Sequence, residues 1–233
     1  MRTKLAVLII TALTAIAPSS LVQAQSAGGI GFFLPGVHTL DYSALNQSLP
    51  AGYPSIQKNP LVTSGAGYGV FYGVVIGGQG GTLYGGSYTR DNQQVDLEGE
   101  FGYFSLGYVV LNKKGFLLFP TASIGDNILR MHVHLKDQEA SFSSVTGEPY
   151  QATTLVYHRP MLKFALTGTY VLLGSRDFGG SAGVMVGLEI GYQMPYKAGI
   201  WTYDNGTIND GPAFDTRGFF FSLAIGGGGV AKR

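Results

Sequence analysis

The stretch GVMVGLEIGYQM, residues 183–194, constrains the fold more than any other. Its even positions, Val184, Val186, Leu188, Ile190, Tyr192 and Met194, are all apolar, whereas the odd ones include Gly183, Gly187, Gly191 and a single charge, Glu189. A period of two is the spacing of side chains on one face of a β-strand. Thr153 to Leu172 repeats the pattern over a longer reach. Val156, Pro160, Leu162, Phe164, Leu166, Tyr170 and Leu172 share one face, and Tyr157, Arg159, Met161, Lys163, Thr167 and Thr169 the other. Faces of that length exceed the roughly 5–6 residues typical of a globular strand. Pro160 has no amide to donate, so a bulge or a local loss of pairing is expected there.

Two further segments alternate in the same way: Phe219, Phe221, Leu223 and Ile225 against Phe220, Ser222, Ala224 and Gly226, and Ala66, Tyr68, Val70 and Tyr72 against Gly65, Gly67, Gly69 and Phe71. Weaker strand patterns cover 28–38, 74–87, 94–110 and 116–135, which brings the total to eight, an even number. The connections after odd-numbered strands are the longer ones: 39–60, with room for a short helix after Asp41, a modest 89–93, then 136–151 and 195–212. Those after even-numbered strands are short: a turn at Gly73, LNKKG at 111–115 and LGSRD at 173–177. Long loops on one side and short turns on the other mark an outer-membrane barrel. The expected fold is therefore all-β, a closed antiparallel eight-stranded up-and-down barrel of the outer-membrane type, as one domain over 25–233.

Composition agrees. All 36 glycines lie beyond residue 24, more than double the usual share of about 7%. Glycine costs about 1 kcal/mol relative to alanine inside a helix, which argues against an all-helical domain. Residues 1–24 read as a secretory signal peptide, with Arg2 and Lys4 before an apolar run from Leu5 to Ala17, then Pro18 and a small-residue cleavage site at Val22-Gln23-Ala24. The apolar run is shorter than the roughly 20 residues of a spanning helix. Removing this segment lowers the formal charge from +1 to −1, which leaves no electrostatic case for nucleic acid. The absence of cysteine excludes a disulfide framework and thiolate chemistry.

With the even positions of 184–194 toward lipid, Glu189 faces an interior that eight strands leave just wide enough to be filled by side chains. The same parity places Gln79, Glu98, Glu100, Arg130, Arg159 and Lys163 inward, mostly in the outer half of the barrel. Three carboxylates and three cations there are expected to satisfy one another, since breaking a buried pair costs about 3–5 kcal/mol. The reading is a packed polar interior with a structural role. Glycines facing inward make room for large neighbours and for tight curvature. Tyr68, Tyr72, Tyr84, Tyr108, Tyr170 and Tyr192, near strand ends, are expected in aromatic girdles.

His132 and His134, at i and i+2 in RMHVHL (130–135), share a strand face and are the candidates for holding a metal, with Glu98, Glu100 or Asp137 as a third ligand. Polar residues at the rim of the lumen are the simpler reading, so no metal and no cofactor is expected. A barrel enzyme acting on lipid or peptide would set a serine or a water against His132, His134 or His158. The chain has neither G-x-S-x-G nor H-E-x-x-H, and His158 falls on the lipid side near the interface, so no catalytic residue is assigned. Asp204, Asn205, Asn209 and Asp210 in YDNGTINDG (203–211) lack the spacing of a calcium loop. GGQGG (77–81) resembles a phosphate-cradling loop in glycine content alone.

LDYSALNQSLPAGYP (40–54), GAGYGVFYGVVIGGQGG (65–81), GYFSLGYVV (102–110) and FFFSLAIGGGG (219–229) together resemble a group of uncharacterised, exported, glycine-rich outer-membrane barrel-like proteins of Bacteroidetes-type bacteria. The resemblance spans most of residues 25–233. It implies an eight-stranded barrel in the outer membrane of a Gram-negative cell and supplies no catalytic or ligand residues. One departure is the end of the chain: many outer-membrane barrels finish on an aromatic residue, whereas GGGGVAKR follows Ile225 here. The assembly machinery is then expected to tolerate a tail or to read Phe219 to Phe221 internally. The expected partners are outer-membrane lipid, the barrel-assembly machinery and an extracellular or periplasmic ligand, with a structural or binding role through the exposed loops. A soluble periplasmic barrel holding a hydrophobic ligand is the alternative, followed by an outer-membrane barrel enzyme.

Overall fold

The computed structural model describes residues 26–57, 59–135, 152–175, 180–203, 206–209, 211–212 and 214–232, so residues 1–24, expected to be a signal peptide, and the 136–151 connection lie outside the described residues. In chain order the elements are β1 (Ser26–His38), α1 (Ser43–Ser48), β2 (Leu61–Phe71), β3 (Val74–Arg90), β4 (Gln93–Tyr108), β5 (Leu111–Lys113), β6 (Phe116–Leu135), β7 (Ala152–Ser175), β8 (Gly180–Pro195), β9 (Ile200–Tyr203), β10 (Gly206–Ile208) and β11 (Gly218–Lys232). Eight of them, β1-β2-β3-β4-β6-β7-β8-β11, form an antiparallel ring that β1 and β11 close. This is the expected up-and-down barrel. The three remaining strands are short additions: β5 pairs with the start of β6, β9 with Leu155–His158 of β7, and β10 with β9.

At one end of the barrel, the turn end, Tyr72-Gly73 and Lys114-Gly115 close hairpins with left-handed φ at both residues (52° and 83°, 53° and 83°). That is the primed turn whose twist matches the flanking strands. The opposite, loop end carries 39–60 and 196–217. One expected asymmetry fails there. Strands β3 and β4 run on until Arg90 faces Gln93, so Asp91-Asn92 alone joins them, in place of a modest 89–93 connection.

The side-chain alternation is as read for β8: Val184, Leu188 and Ile190 are exposed, and Met185, Glu189 and Gln193 are buried. Phe104, Leu106, Ile124, Leu166, Phe221, Leu223 and Ile225 continue the same exposed apolar belt around the wall. Tyr72, Tyr84, Tyr108 and Tyr170 point outward as expected, but Tyr68 does not. It lies inside, edge-on to Phe119 with ring centroids 5.6 Å apart. Pro160 loses pairing on one edge only: it still faces Asp126 of β6, while on the other edge β7 changes partner between His158 and Met161, from β9 to β8. Its missing amide falls where a donor has least to do. The final GGGGVAK is no tail, since Gly226 to Lys232 complete β11 against β1 and β8.

Glycines occupy both faces rather than the lumen alone. Those facing inward sit where neighbouring backbone comes close: a Cβ at Gly226 would overlap the Gly31 carbonyl oxygen on β1. Outward Gly67 has nothing within 4 Å of an added Cβ. Gly226→Ala is therefore expected to strain the β1–β11 seam by about 1–3 kcal/mol, whereas Gly67→Ala leaves it intact. The two would be compared by the urea midpoint of the folded, heat-modifiable band on unboiled gels; equal midpoints would show that the seam tolerates the extra carbon.

Candidate functional site

The interior is layered along the barrel axis. Nearest the turn end, Ile30, Phe32, Tyr68, Val70, Val75, Leu117, Phe119 and Met185 form an apolar layer. Beneath it β5 tucks Asn112 inward, where its side chain donates to the Val230 carbonyl (3.1 Å) and accepts from Ser181 (2.9 Å). A polar band follows, then Val62, Leu83, Phe101 and Met161. The loop end is closed by Tyr42, Leu45, Ile56, Val95, Leu97, Leu129, Met131, Tyr157, Trp201 and Phe214.

The polar band holds the charge that the sequence placed in the interior. Lys163 Nζ donates to Glu189 Oε1 at 2.7 Å and also to Gln79 Oε1, with 3% and 1% of the two charged side chains exposed. Gln79 Nε2 reaches Ser64 (3.1 Å) and Glu189 (3.4 Å), Ser64 donates to the Leu34 carbonyl (3.2 Å), and Thr167 donates to Glu189 Oε2 (3.4 Å). The Lys163 ammonium also lies 4.4 Å from the centre of the Phe220 ring. Beside this network Tyr103 donates to Asn127 (2.6 Å), and Gln193 Nε2 donates to the Thr216 carbonyl (3.1 Å). Each charge of this buried pair meets its opposite and further polar partners, which offset its loss of water.

Glu98, Glu100 and Arg130 do not join it. All three lie on the outer face, where Arg130 Nη2 meets Glu100 Oε1 at 2.7 Å across the β4–β6 ladder. Arg159 keeps the inward parity, but its guanidinium donates to the Tyr157 hydroxyl (2.8 Å) nearer the loop end. The parity reading failed because it equated polar with inward along the whole strand. Below Gly102 and Asp126 the outward residues of β4 and β6 are apolar; above them the strands carry charges outward and Leu97, Leu129 and Met131 inward. On these two strands the outward face changes there from apolar to charged.

That change also moves the histidines. His132 and His134 share a face as expected, but it is the outer one rather than the lumen rim. His132 Nδ1 lies 2.9 Å from Thr154 Oγ1 and its Nε2 3.3 Å from Glu98; His134 Nε2 lies 3.6 Å from Asp96. His158, also outward, lies 3.7 Å from Asp126. Each imidazole faces a different carboxylate, and among the described residues no group of three or more His, Cys, Asp or Glu is placed to hold a metal ion. Asp137, Asp204, Asn205 and Asp210 lie outside the described residues. Gln79 of GGQGG is a lumen residue on β3, not part of a phosphate loop.

The loop-end cover was the part sequence reasoning missed. Asp41 accepts from both the hydroxyl (2.5 Å) and the amide (2.9 Å) of Ser43, which starts α1 and holds the Asp41 carboxyl below its usual range. Leu45 on that helix turns inward, and Tyr42 stacks on Phe214 with ring centroids 5.3 Å apart. Burial pushes the Tyr42 hydroxyl pKa up. The signals were a lone tryptophan in a polar stretch and the apolar Leu40, Leu45 and Leu49 around an expected helix.

No protein-family model matches the chain, and no curated protein matches it in sequence. In shape it is similar to a major outer membrane protein of Thermus thermophilus, at 9% identity over 88% of this chain and 99% of that one, with a TM-score of 0.42. It is also similar to the outer membrane protease OmpT of Escherichia coli, at 11% identity over 90% and 95%, with a TM-score of 0.34. At such identities neither likeness transfers a site or an activity.

Replacing Glu189 by Leu alone is expected to cost about 3–5 kcal/mol, because Lys163 is left charged and buried. The double change Lys163→Met with Glu189→Leu should recover most of that, and Arg130→Ala on the outer face should cost about 1 kcal/mol or less. Urea midpoints of the folded band would rank the three; a single Glu189→Leu change as mild as Arg130→Ala would contradict the buried-pair reading.

Proposed function

We propose that this chain is an outer-membrane β-barrel with a closed lumen, which acts by binding or by supporting the envelope through its loop-end surface rather than by catalysis or conduction. The observation that carries the reading is the sidedness of the wall. An outward apolar run such as Val184 to Met194 on β8 matches the roughly 9–11 residues a tilted strand needs to cross the hydrocarbon. On β4 and β6 the outer face becomes charged toward the loop end, as strands emerging into water should. By the usual orientation the turn end and the termini face the periplasm and the loop end faces outward. The layered interior supports a non-conducting barrel, since apolar side chains fill it on both sides of the Lys163–Glu189 band. The outer-face histidines with their separate carboxylates serve as polar anchors at the lipid boundary.

Cell fractionation tests the localisation directly: the protein is expected in the detergent-requiring outer-membrane fraction, and recovery from the periplasm without detergent would support a soluble barrel instead. Leu188→Arg, at mid-belt, should lower folding stability in lipid by about 2–4 kcal/mol and barely change it if that face meets water. Planar bilayers carrying the wild-type protein should show no stepwise conductance.

A further inference from the structure

The loop-end cover does not fill the space beneath it. Between the cover and the wall lies a cavity of about 350 Å³, with Leu45 and Leu49 on one side and Met131, Val133, Leu155 and Trp201 on the other. Its volume falls within the roughly 300–1,000 Å³ of small-molecule sites. Among the described residues no charged side chain lines it.

The walls are pinned. Asn46 clamps the segment that follows α1 through two hydrogen bonds to one residue, donating to the Ile56 carbonyl (2.8 Å) and accepting from the Ile56 amide (2.9 Å). Across the cavity Trp201 Nε1 donates to the Pro212 carbonyl (2.8 Å), and the Tyr157 hydroxyl donates to the Phe214 carbonyl (3.2 Å). The Tyr157 and Trp201 rings pack 4.7 Å apart. These bonds fix both sides of the space by side chain to backbone, so the cavity exists before any ligand arrives and little ordering is left for binding to supply. The same bonds use up the indole donor, and Ser48 spends its proton on the Leu45 carbonyl (2.8 Å).

From the preformed volume and an apolar lining that holds no charged side chain among the described residues, we infer that this cavity is a binding site for an uncharged aliphatic chain. The source is either a free amphiphile or the acyl chain of a membrane lipid. The inference deepens the binding role proposed above and rests on the loop end being the exposed face. A charged headgroup has no place inside the cavity, so a carboxylate of the same chain length should bind about tenfold or more weakly.

Trp201, the one tryptophan of the chain, is a built-in reporter, because bromine quenches indole fluorescence on contact. With the protein in phosphatidylcholine vesicles, 8-bromooctan-1-ol is expected to quench Trp201 saturably, and 8-bromooctanoate to need about tenfold more. Val133→Phe, which fills the cavity, should abolish the saturable part, with Leu49→Phe as the second variant if the first does not fold. Leu188→Phe, on the outer belt, should leave it unchanged. Vesicles of acyl-brominated phosphatidylcholine identify the source: quenching there that Val133→Phe removes assigns the chain to membrane lipid, and quenching by the alcohol alone assigns it to a free amphiphile. Quenching that rises linearly without saturation, or equally in a folded Val133→Phe protein, would overturn the site. Saturable quenching by a protein recovered in the periplasm would overturn the membrane reading and keep the site; a membrane protein without saturable quenching would do the reverse.

Discussion

A sheet edge presents a row of unpaired N–H and C=O groups, and a sheet that closes on itself has no such edge. The seam between β1 and β11 provides that closure, and the rest of the structure depends on it. It runs from Ser26 opposite Lys232 to His38 opposite Phe220, which is why Gly226 to Lys232 belong to the barrel. Glycine is the chemistry that permits it. Where the curvature of eight strands drives neighbouring backbones together, as at Gly226 against Gly31, any side chain would hold the seam apart.

Closure then fixes what the interior can be. Eight strands leave no room for a water-filled channel, so inward side chains must pack and inward polar groups must pair with each other. Lys163 and Glu189 come from the neighbouring strands β7 and β8, and Gln79 from β3 reaches them across the lumen, which only the closed ring allows. Apolar layers lie on both sides of that band, which ties β3, β7 and β8 together. The loop-end cover continues the packing beyond the belt. There β4 and β6 are apolar within and charged without.

Most of the barrel was legible in the sequence because a period of two survives any tertiary arrangement. The alternation at 184–194, 153–172 and 219–226 identified strands, their outward apolar faces and the inward Glu189. Glu98, Glu100 and Arg130 were misplaced for a definite reason. Alternation says which residues share a face, but it does not name the face, and the outward face changes from apolar to charged partway along β4 and β6. Tyr68 shows the same limit, since its position near a strand end fits a girdle as well as an interior stack on Phe119.

The sequence by itself determined that this chain is a closed eight-stranded barrel with one apolar face per strand, because side-chain periodicity and turn chemistry are local properties. The tertiary structure alone decided which charges meet. It also set the height at which the wall reverses its sidedness, and it placed α1, Trp201 and Phe214 over the loop end with a cavity beneath them. Those features depend on register between strands and on contacts between residues far apart in the chain, and neither is written in the spacing of one strand.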